Sequence, residues 1–103
     1  MSSNVFHIPA DISTHEIFTD LLIDQNIRVE QIVSFGQTTP HDAQYIQQHD
    51  EWVVILKGNA TLMIDKEENK LSKGDSLLIP QGVMHSVIYT DNPTIWLAIH
   101  IGG

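Results

Sequence analysis

The sequence predicts a small all-β domain folded as an antiparallel sandwich or barrel. Its 103 residues allow one domain with one core, and a hydrophobic fraction of 42% is typical of a globular protein. From residue 27 onward, short segments rich in β-forming residues alternate with turn signals at close and fairly even spacing. The connections between these segments leave no room for crossover helices, which disfavours a parallel sheet.

Eight segments have the character of strands, and each is bounded by a turn. They cover residues 28–35, 43–48, 52–56, 60–64, 70–72, 76–79, 84–89 and 94–101. The first is a run of β-formers that ends at Gly36. The run from Trp52 to Leu56 is continuously apolar, which predicts a strand buried on both faces. Alternating charges from Asp65 to Asn69 predict an exposed hairpin tip.

Ahead of the strands, the sequence predicts a short amphipathic α-helix near residues 14–24. Ser13 and Glu16 have the spacing of a capping box at a helix start. Apolar residues then recur at helical spacing. These residues are Ile17, Phe18, Leu21 and Leu22. We therefore divide the chain into an N-terminal extension carrying this helix, residues 1–26, and a barrel, residues 27–103.

Composition and charge argue against several classes of partner. The chain has 5 Lys and Arg against 13 Asp and Glu, a formal net charge of -8, so a nucleic acid would be repelled. Cysteine is absent, which removes disulfides and thiolate chemistry. No apolar run approaches the ~20 residues of a membrane helix, and the N-terminus lacks the features of a signal peptide. We predict a cytoplasmic protein.

Two groups of residues carry a recognisable spacing. In the segment 74–85, a glycine, five residues, a proline, one residue, a glycine, two residues and a histidine follow one another; the four named positions are Gly74, Pro80, Gly82 and His85. Upstream, Glu51 and Gly58 stand seven residues apart. Both spacings match motifs of the cupin superfamily, and the chain resembles small stand-alone cupins over roughly residues 28–101. The resemblance implies a jelly-roll barrel of the double-stranded β-helix type.

The resemblance also implies a metal pocket inside the barrel. Cupin sites usually combine two or three His with a Glu, and here His85 and Glu51 stand at two of those positions. Gln47 and Tyr45 stand where the first motif has its two His. An amide oxygen can ligate a cation weakly, whereas a phenol with an ordinary pKa of about 10 is a poor ligand near neutral pH. We predict a divalent metal (Zn, Mn, Fe or Ni) held by His85, Glu51 and Gln47.

Side-chain alternation predicts the rest of the pocket. On a regular strand Tyr45 and His49 share a face with Gln47 and Glu51, which makes both of them candidate acid–base or hydrogen-bonding groups. His49 could instead replace a missing ligand, or lie in solvent on a loop.

The last strand predicts two unlike faces. Trp96 and His100 share one face, which either lines the pocket or packs as core. The other face is entirely aliphatic and is typical of a core or a dimer interface. Its residues are Ile95, Leu97, Ile99 and Ile101.

These observations predict a pocket that binds a divalent metal and a small polar molecule, and that could serve a metal-dependent enzyme. Two alternatives stay open. One is a metal-free binding or sensor module, and the other is a structural dimerisation domain with a vestigial pocket. A homodimer is expected, because cupins of this size commonly form one.

Overall fold

The structure is a computed structural model, and it describes residues 2–9, 14–40 and 45–102. Within these residues it contains eight β-strands and no helix. The strands are β1 (Ile17–Asp24), β2 (Ile27–Ser34), β3 (Asp50–Lys57), β4 (Ala60–Ile64), β5 (Glu67–Leu71), β6 (Ser76–Ile79), β7 (His85–Thr90) and β8 (Thr94–Ile101). In that described part, no helix is long and apolar enough to cross a membrane.

The strands form two antiparallel sheets around one hydrophobic core. A five-stranded sheet has the order β1-β2-β8-β3-β6, and a three-stranded sheet has the order β5-β4-β7. The buried core cluster draws on strands of both sheets. Its members are Ile32, Val53, Ile55, Ala60, Leu62, Leu71, Ile79, Trp96 and Ala98. The all-β prediction is confirmed, and β4, β6 and β8 have the predicted bounds.

The predicted N-terminal helix is wrong. Residues from Ile17 to Asp24 form strand β1, which pairs with β2 through a tight turn at Gln25, where φ is 47°. Apolar residues spaced at both helical and alternating positions cannot decide between the two states in so short a window. Pairing with β2 decides it, because that pairing supplies the backbone hydrogen bonds. Ser13 lies outside the described residues, and the predicted boundary after residue 26 falls in this hairpin turn.

Two further expectations differ in detail. The tip of the hairpin between β4 and β5 is only Asp65 and Lys66, both with positive φ, and β5 already begins at Glu67. Of the predicted strand over 43–48, residues 43 and 44 lie outside the described residues. Tyr45 is joined to the barrel by an isolated bridge.

Side-chain burial alternates along strand β3, and this alternation distinguishes an inner from an outer face of the five-stranded sheet. Glu51, Val53 and Ile55 are buried, whereas Trp52 and Val54 between them are half-buried. The prediction that this apolar run is buried on both faces is therefore wrong for the outer face, where its side chains are only half-buried. In β8 the same alternation turns Trp96, Ala98 and His100 inward. On the aliphatic face, Leu97 and Ile99 are half-buried and Ile101 is exposed, whereas Ile95 is buried.

Candidate functional site

A cavity of about 530 Å³ lies between the two sheets. Apolar side chains such as Val53, Leu62 and Trp96 form its floor. Polar side chains gather along the rest of its lining. These are Glu16, Arg28, Glu30, Thr38, Thr39, Tyr45, Gln47, His49, Glu51, His85 and His100. All seven residues predicted for the site line this cavity, although their roles stay predictions.

The register of the five-stranded sheet sets the polar residues side by side. Arg28 on β2 is paired with His100 on β8, which in turn is paired with Glu51 on β3. Directly paired residues of an antiparallel sheet project to the same face with closely spaced Cβ atoms. A polar row therefore crosses three neighbouring strands on the inner face.

The segment ahead of β3 brings two further residues over this row. Backbone hydrogen bonds of 2.9 Å run both ways between Tyr45 and His85. The amide of Gly82 donates to the carbonyl of Gln47 at 2.8 Å. The Tyr45 side chain is 52% exposed and its ring centroid lies 6.0 Å from that of His85, which places the phenol at the mouth of the cavity.

The carboxamide of Gln47 lies between the two strongest predicted metal ligands. Its Nε2 donates to Oε1 of Glu51 at 2.8 Å and lies 3.2 Å from Nε2 of His85. Nδ1 of His85 lies 3.3 Å from the Val83 carbonyl, which favours a proton on Nδ1 and leaves Nε2 as an acceptor. Turning the amide over would set its oxygen against a carboxylate, so the neighbours fix its orientation.

This arrangement leaves one acceptor unused. Both amide hydrogens of Gln47 are committed, while its Oε1 is buried and has no hydrogen-bond partner among the described residues. A buried polar atom without a partner costs about 1–3 kcal/mol. A bound molecule that donates a hydrogen bond to this oxygen would recover that free energy.

A second polar chain runs through the two other histidines of the site. Nε2 of His49 lies 2.8 Å from Nδ1 of His100, and Nε2 of His100 lies 2.7 Å from Oε1 of the buried Glu30. If His100 donates to the carboxylate, its Nδ1 accepts from His49. These two hydrogen bonds can therefore hold His49 in one tautomer, and a proton can pass along them between His49 and Glu30.

A third chain closes the opposite part of the cavity. The indole N–H of Trp96 donates to Oγ of Ser34 at 3.1 Å, and that hydroxyl donates to Glu16. The Trp96 side chain is buried in the core and also lines the cavity, and its role toward a ligand stays a prediction. Glu16, which was predicted to cap a helix, instead accepts the hydrogen bond from Ser34 with its carboxylate.

The donor set present does not fit a divalent metal as it is arranged. A zinc site, for example, has three or four protein donors directed at one point. The described residues hold no group of three His, Cys, Asp or Glu side chains that could bind one. The amide hydrogens of Gln47 also occupy the position between Glu51 and His85, where a shared cation would lie. The metal predicted from the sequence stays a prediction.

Sequence reasoning missed three charged residues of the lining, namely Glu16, Arg28 and Glu30. The signal for two of them was available. Arg28 and Glu30 alternate with Val29 in a run of β-formers, and they share the face of the apolar Ile32. Charged residues on the core face of a strand are uncommon and indicate a site.

Comparisons with known proteins agree with this fold. The family model described as Cupin domain matches residues 29–100. An uncharacterized protein of Aquifex aeolicus is 32% identical over 79 residues, which is 75% of this chain. The match spans 63% of that relative, so this chain covers less than two thirds of its length.

Solved structures resemble the whole fold. One from Ralstonia eutropha, named "putative mannose-6-phosphate isomerase", is 33% identical with a TM-score of 0.93, covering 100% of this chain and 99% of its own. A cupin superfamily protein from Desulfitobacterium hafniense is 18% identical with a TM-score of 0.78, covering 93% and 84%. The second likeness concerns the fold alone.

Proposed function

The chain belongs to the cupin domain family, and from that premise we propose that its barrel pocket binds a small polar molecule through hydrogen bonds, without a metal ion. The observation that carries the proposal is the Gln47 amide joining Glu51 to His85. It satisfies the lone pairs that a metal would otherwise use, and it leaves the buried Oε1 of Gln47 without a hydrogen-bond partner among the described residues.

The lining favours a ligand that carries hydroxyl or amino groups. Besides Gln47 Oε1, the carboxylates of Glu30 and Glu51 are acceptors with lone pairs to spare. Trp96 and the aliphatic floor offer a flat apolar wall of the kind that packs against a sugar ring or another compact carbon skeleton. The name of the Ralstonia protein adds support for a carbohydrate-like ligand. Mannose and mannose 6-phosphate are therefore the first compounds to test.

Metal content is the first measurement. Protein purified without an affinity tag should contain no stoichiometric Zn, Mn, Fe or Ni by inductively coupled plasma mass spectrometry, and EDTA should not change its melting temperature. The Gln47→His variant, which supplies a second imidazole beside His85, is the positive control and should take up metal. Stoichiometric metal in the natural protein would overturn the metal-free proposal and favour the metal-dependent one.

Ligand binding is the second measurement. Hydroxyl- and amino-bearing compounds should shift the side-chain NMR signals of Gln47 and His85 in a saturable way. Gln47→Leu should weaken that binding by roughly ten-fold or more, because the polar contact is lost. The exposed neighbour Gln48 provides a matched control, and Gln48→Leu should bind normally. Equal binding by both variants would contradict the proposed site.

Catalysis in this pocket is a second candidate, and the chain from His49 through His100 to Glu30 favours it. We propose His49 as the group that would exchange a proton with a bound molecule, with Tyr45 at the mouth as a hydrogen-bond donor. Turnover of a compound that binds, lost in His49→Gln while binding persists, would support this role. Unchanged turnover in the His49→Gln variant would contradict this role of His49.

We also propose that the chain forms a homodimer through the outer face of the five-stranded sheet. Four apolar residues in register cross that face: Val29, Ile99, Trp52 and Leu78. Leu78 is 50% exposed, and the other three are half-buried in the single chain. A contiguous apolar row of this kind is typical of an association surface.

A further inference from the structure

We infer that Arg28 forms an anion subsite beside the pocket, so that the ligand carries a carboxylate or phosphate group. The inference rests on the proposed small-molecule pocket and specifies its ligand. Arg28 is the single arginine of a chain whose formal net charge is -8. Arg28 is an exposed residue at one end of the polar row.

The location of Arg28 supplies the first argument. A second cavity of about 270 Å³ adjoins the main one and shares Arg28, His49 and His100 with it. The turn residues Gln25 and Asn26 complete its polar lining. Among the described residues, none of those lining this second cavity is an Asp or a Glu. An oxyanion here would meet a guanidinium fork, an imidazole and carboxamide donors.

Charge pairing supplies the second argument. Each carboxylate of the main cavity accepts a hydrogen bond from, or lies within hydrogen-bond distance of, a protein side chain: Glu16 from Ser34, Glu30 beside His100, and Glu51 from Gln47. The Arg28 guanidinium, by contrast, makes no hydrogen bond or ion pair within the described part of the chain. Each acidic group thus has a partner within the protein, whereas the Arg28 guanidinium has none among the described residues and is available to a ligand.

His49 extends this subsite. Its Nε2 faces His100, and its Nδ1 makes no hydrogen bond to any described residue. Arg28 lies beside His100 through the register of β2 and β8. Bidentate pairing of a guanidinium with a carboxylate or phosphate is geometrically favourable, and a protonated imidazole could add a third donor. The ligand would then span both cavities, with its donor groups near Gln47 and its anionic group at Arg28.

The test uses inorganic phosphate and acetate as probes at constant ionic strength. Because the chain has one arginine, its Nε–H gives a single NMR signal that reports on this site alone. Phosphate or acetate should shift that signal and the His49 ring signals in a saturable way, with a dissociation constant on the order of millimolar. The probe that binds more tightly distinguishes a phosphate from a carboxylate ligand.

Variants test whether Arg28 is responsible. Arg28→Gln should abolish the saturable shift at His49, and Arg28→Lys should weaken it roughly three- to ten-fold, because it keeps the charge and loses the fork. Lys57→Gln removes the same charge outside both cavities and should leave phosphate binding unchanged. Absence of saturation in the tens of millimolar, or equal binding by Arg28→Gln, would overturn the inference.

The outcome is separable from that of the proposed function. Phosphate and acetate report on the Arg28 end alone, whereas a neutral polyol reports on Gln47 and His85. Polyol binding without oxyanion binding would remove the subsite and keep the pocket. Oxyanion binding with no response of Gln47 to any compound would keep the Arg28 subsite and remove the proposed pocket at Gln47.

Discussion

At the scale of single residues, Asp91 shows how an exposed carboxylate holds a turn in place. It accepts hydrogen bonds from the Tyr89 hydroxyl and from the backbone and side-chain amides of Asn59, which lie at 2.9 and 3.0 Å. The hydrogen bond from Tyr89, followed by those from Asn59, lowers the pKa of Asp91 below its ordinary value of 3.8. The ionised form therefore stabilises the folded state.

The sign of the pH dependence follows from this lowered pKa. The stabilisation is fully present above the ordinary pKa and is lost as the pH falls through the lowered one. Asp91→Asn should reduce the free energy of unfolding at neutral pH, and its deficit relative to the natural protein should shrink below about pH 4. Urea denaturation across the acid range measures this.

Asp65→Asn is the matched control for that prediction. It removes a charge from an exposed hairpin turn where the carboxylate makes no hydrogen bond to the described residues. The difference in free energy of unfolding between Asp65→Asn and the natural protein should not shrink below about pH 4 in the way predicted for Asp91→Asn. A deficit of Asp91→Asn that stays constant down to pH 2 would contradict the assigned role.

At the scale of elements, the turn between β3 and β4 depends on a glycine for two separate reasons. Gly58 has φ of +84°, and a Cβ there would lie 2.8 Å from the carbonyl oxygen of Pro93 and 3.0 Å from Oγ1 of Thr94. Gly74 has φ of +89°, but a Cβ there would meet nothing within 4 Å. Replacing either glycine would therefore strain the backbone at positive φ, but only at Gly58 would the new side chain also clash with its neighbours.

Alanine at each position should separate the two costs. Gly74→Ala should lower the free energy of unfolding by about 1–2 kcal/mol, because a side chain disfavours the left-handed region. Gly58→Ala should lower it by roughly 1–3 kcal/mol more, because the backbone at Pro93 and Thr94 would have to move away. Chemical denaturation with an unchanged m-value measures both, and equal losses would show that the close approach to Pro93 is immaterial.

At the scale of the whole molecule, the proposed homodimer forms through the outer face of the five-stranded sheet. Natural protein should elute with twice the 11.6 kDa mass of one chain in light-scattering chromatography. Leu78→Glu should yield the monomer, because it places a charge in the apolar row. Ile88→Glu changes a residue of similar exposure on the three-stranded sheet and should stay dimeric. A natural protein that is monomeric at high micromolar concentration would refute the homodimer.

The sequence by itself determined most of the strands and the positions of the candidate residues. Strand alternation and turn residues are local properties, so segments such as 60–64, 76–79 and 94–101 can be predicted from the local order of residues. The spacing of Glu51, Gly58 and His85 likewise depends only on order along the chain. These features led to the cupin family and to a pocket with seven of its lining residues.

Only the tertiary structure decided which polar groups of the pocket are paired with one another. Strand β1 exists because β2 supplies its hydrogen bonds, and no local pattern records that pairing. The Gln47 amide fills the gap between Glu51 and His85 because residues 38 positions apart meet there. Arg28 faces His100 through a register that spans most of the chain. Contacts between distant residues set which polar groups are paired and which remain available, and pairing is what separates a metal site from a hydrogen-bonding one.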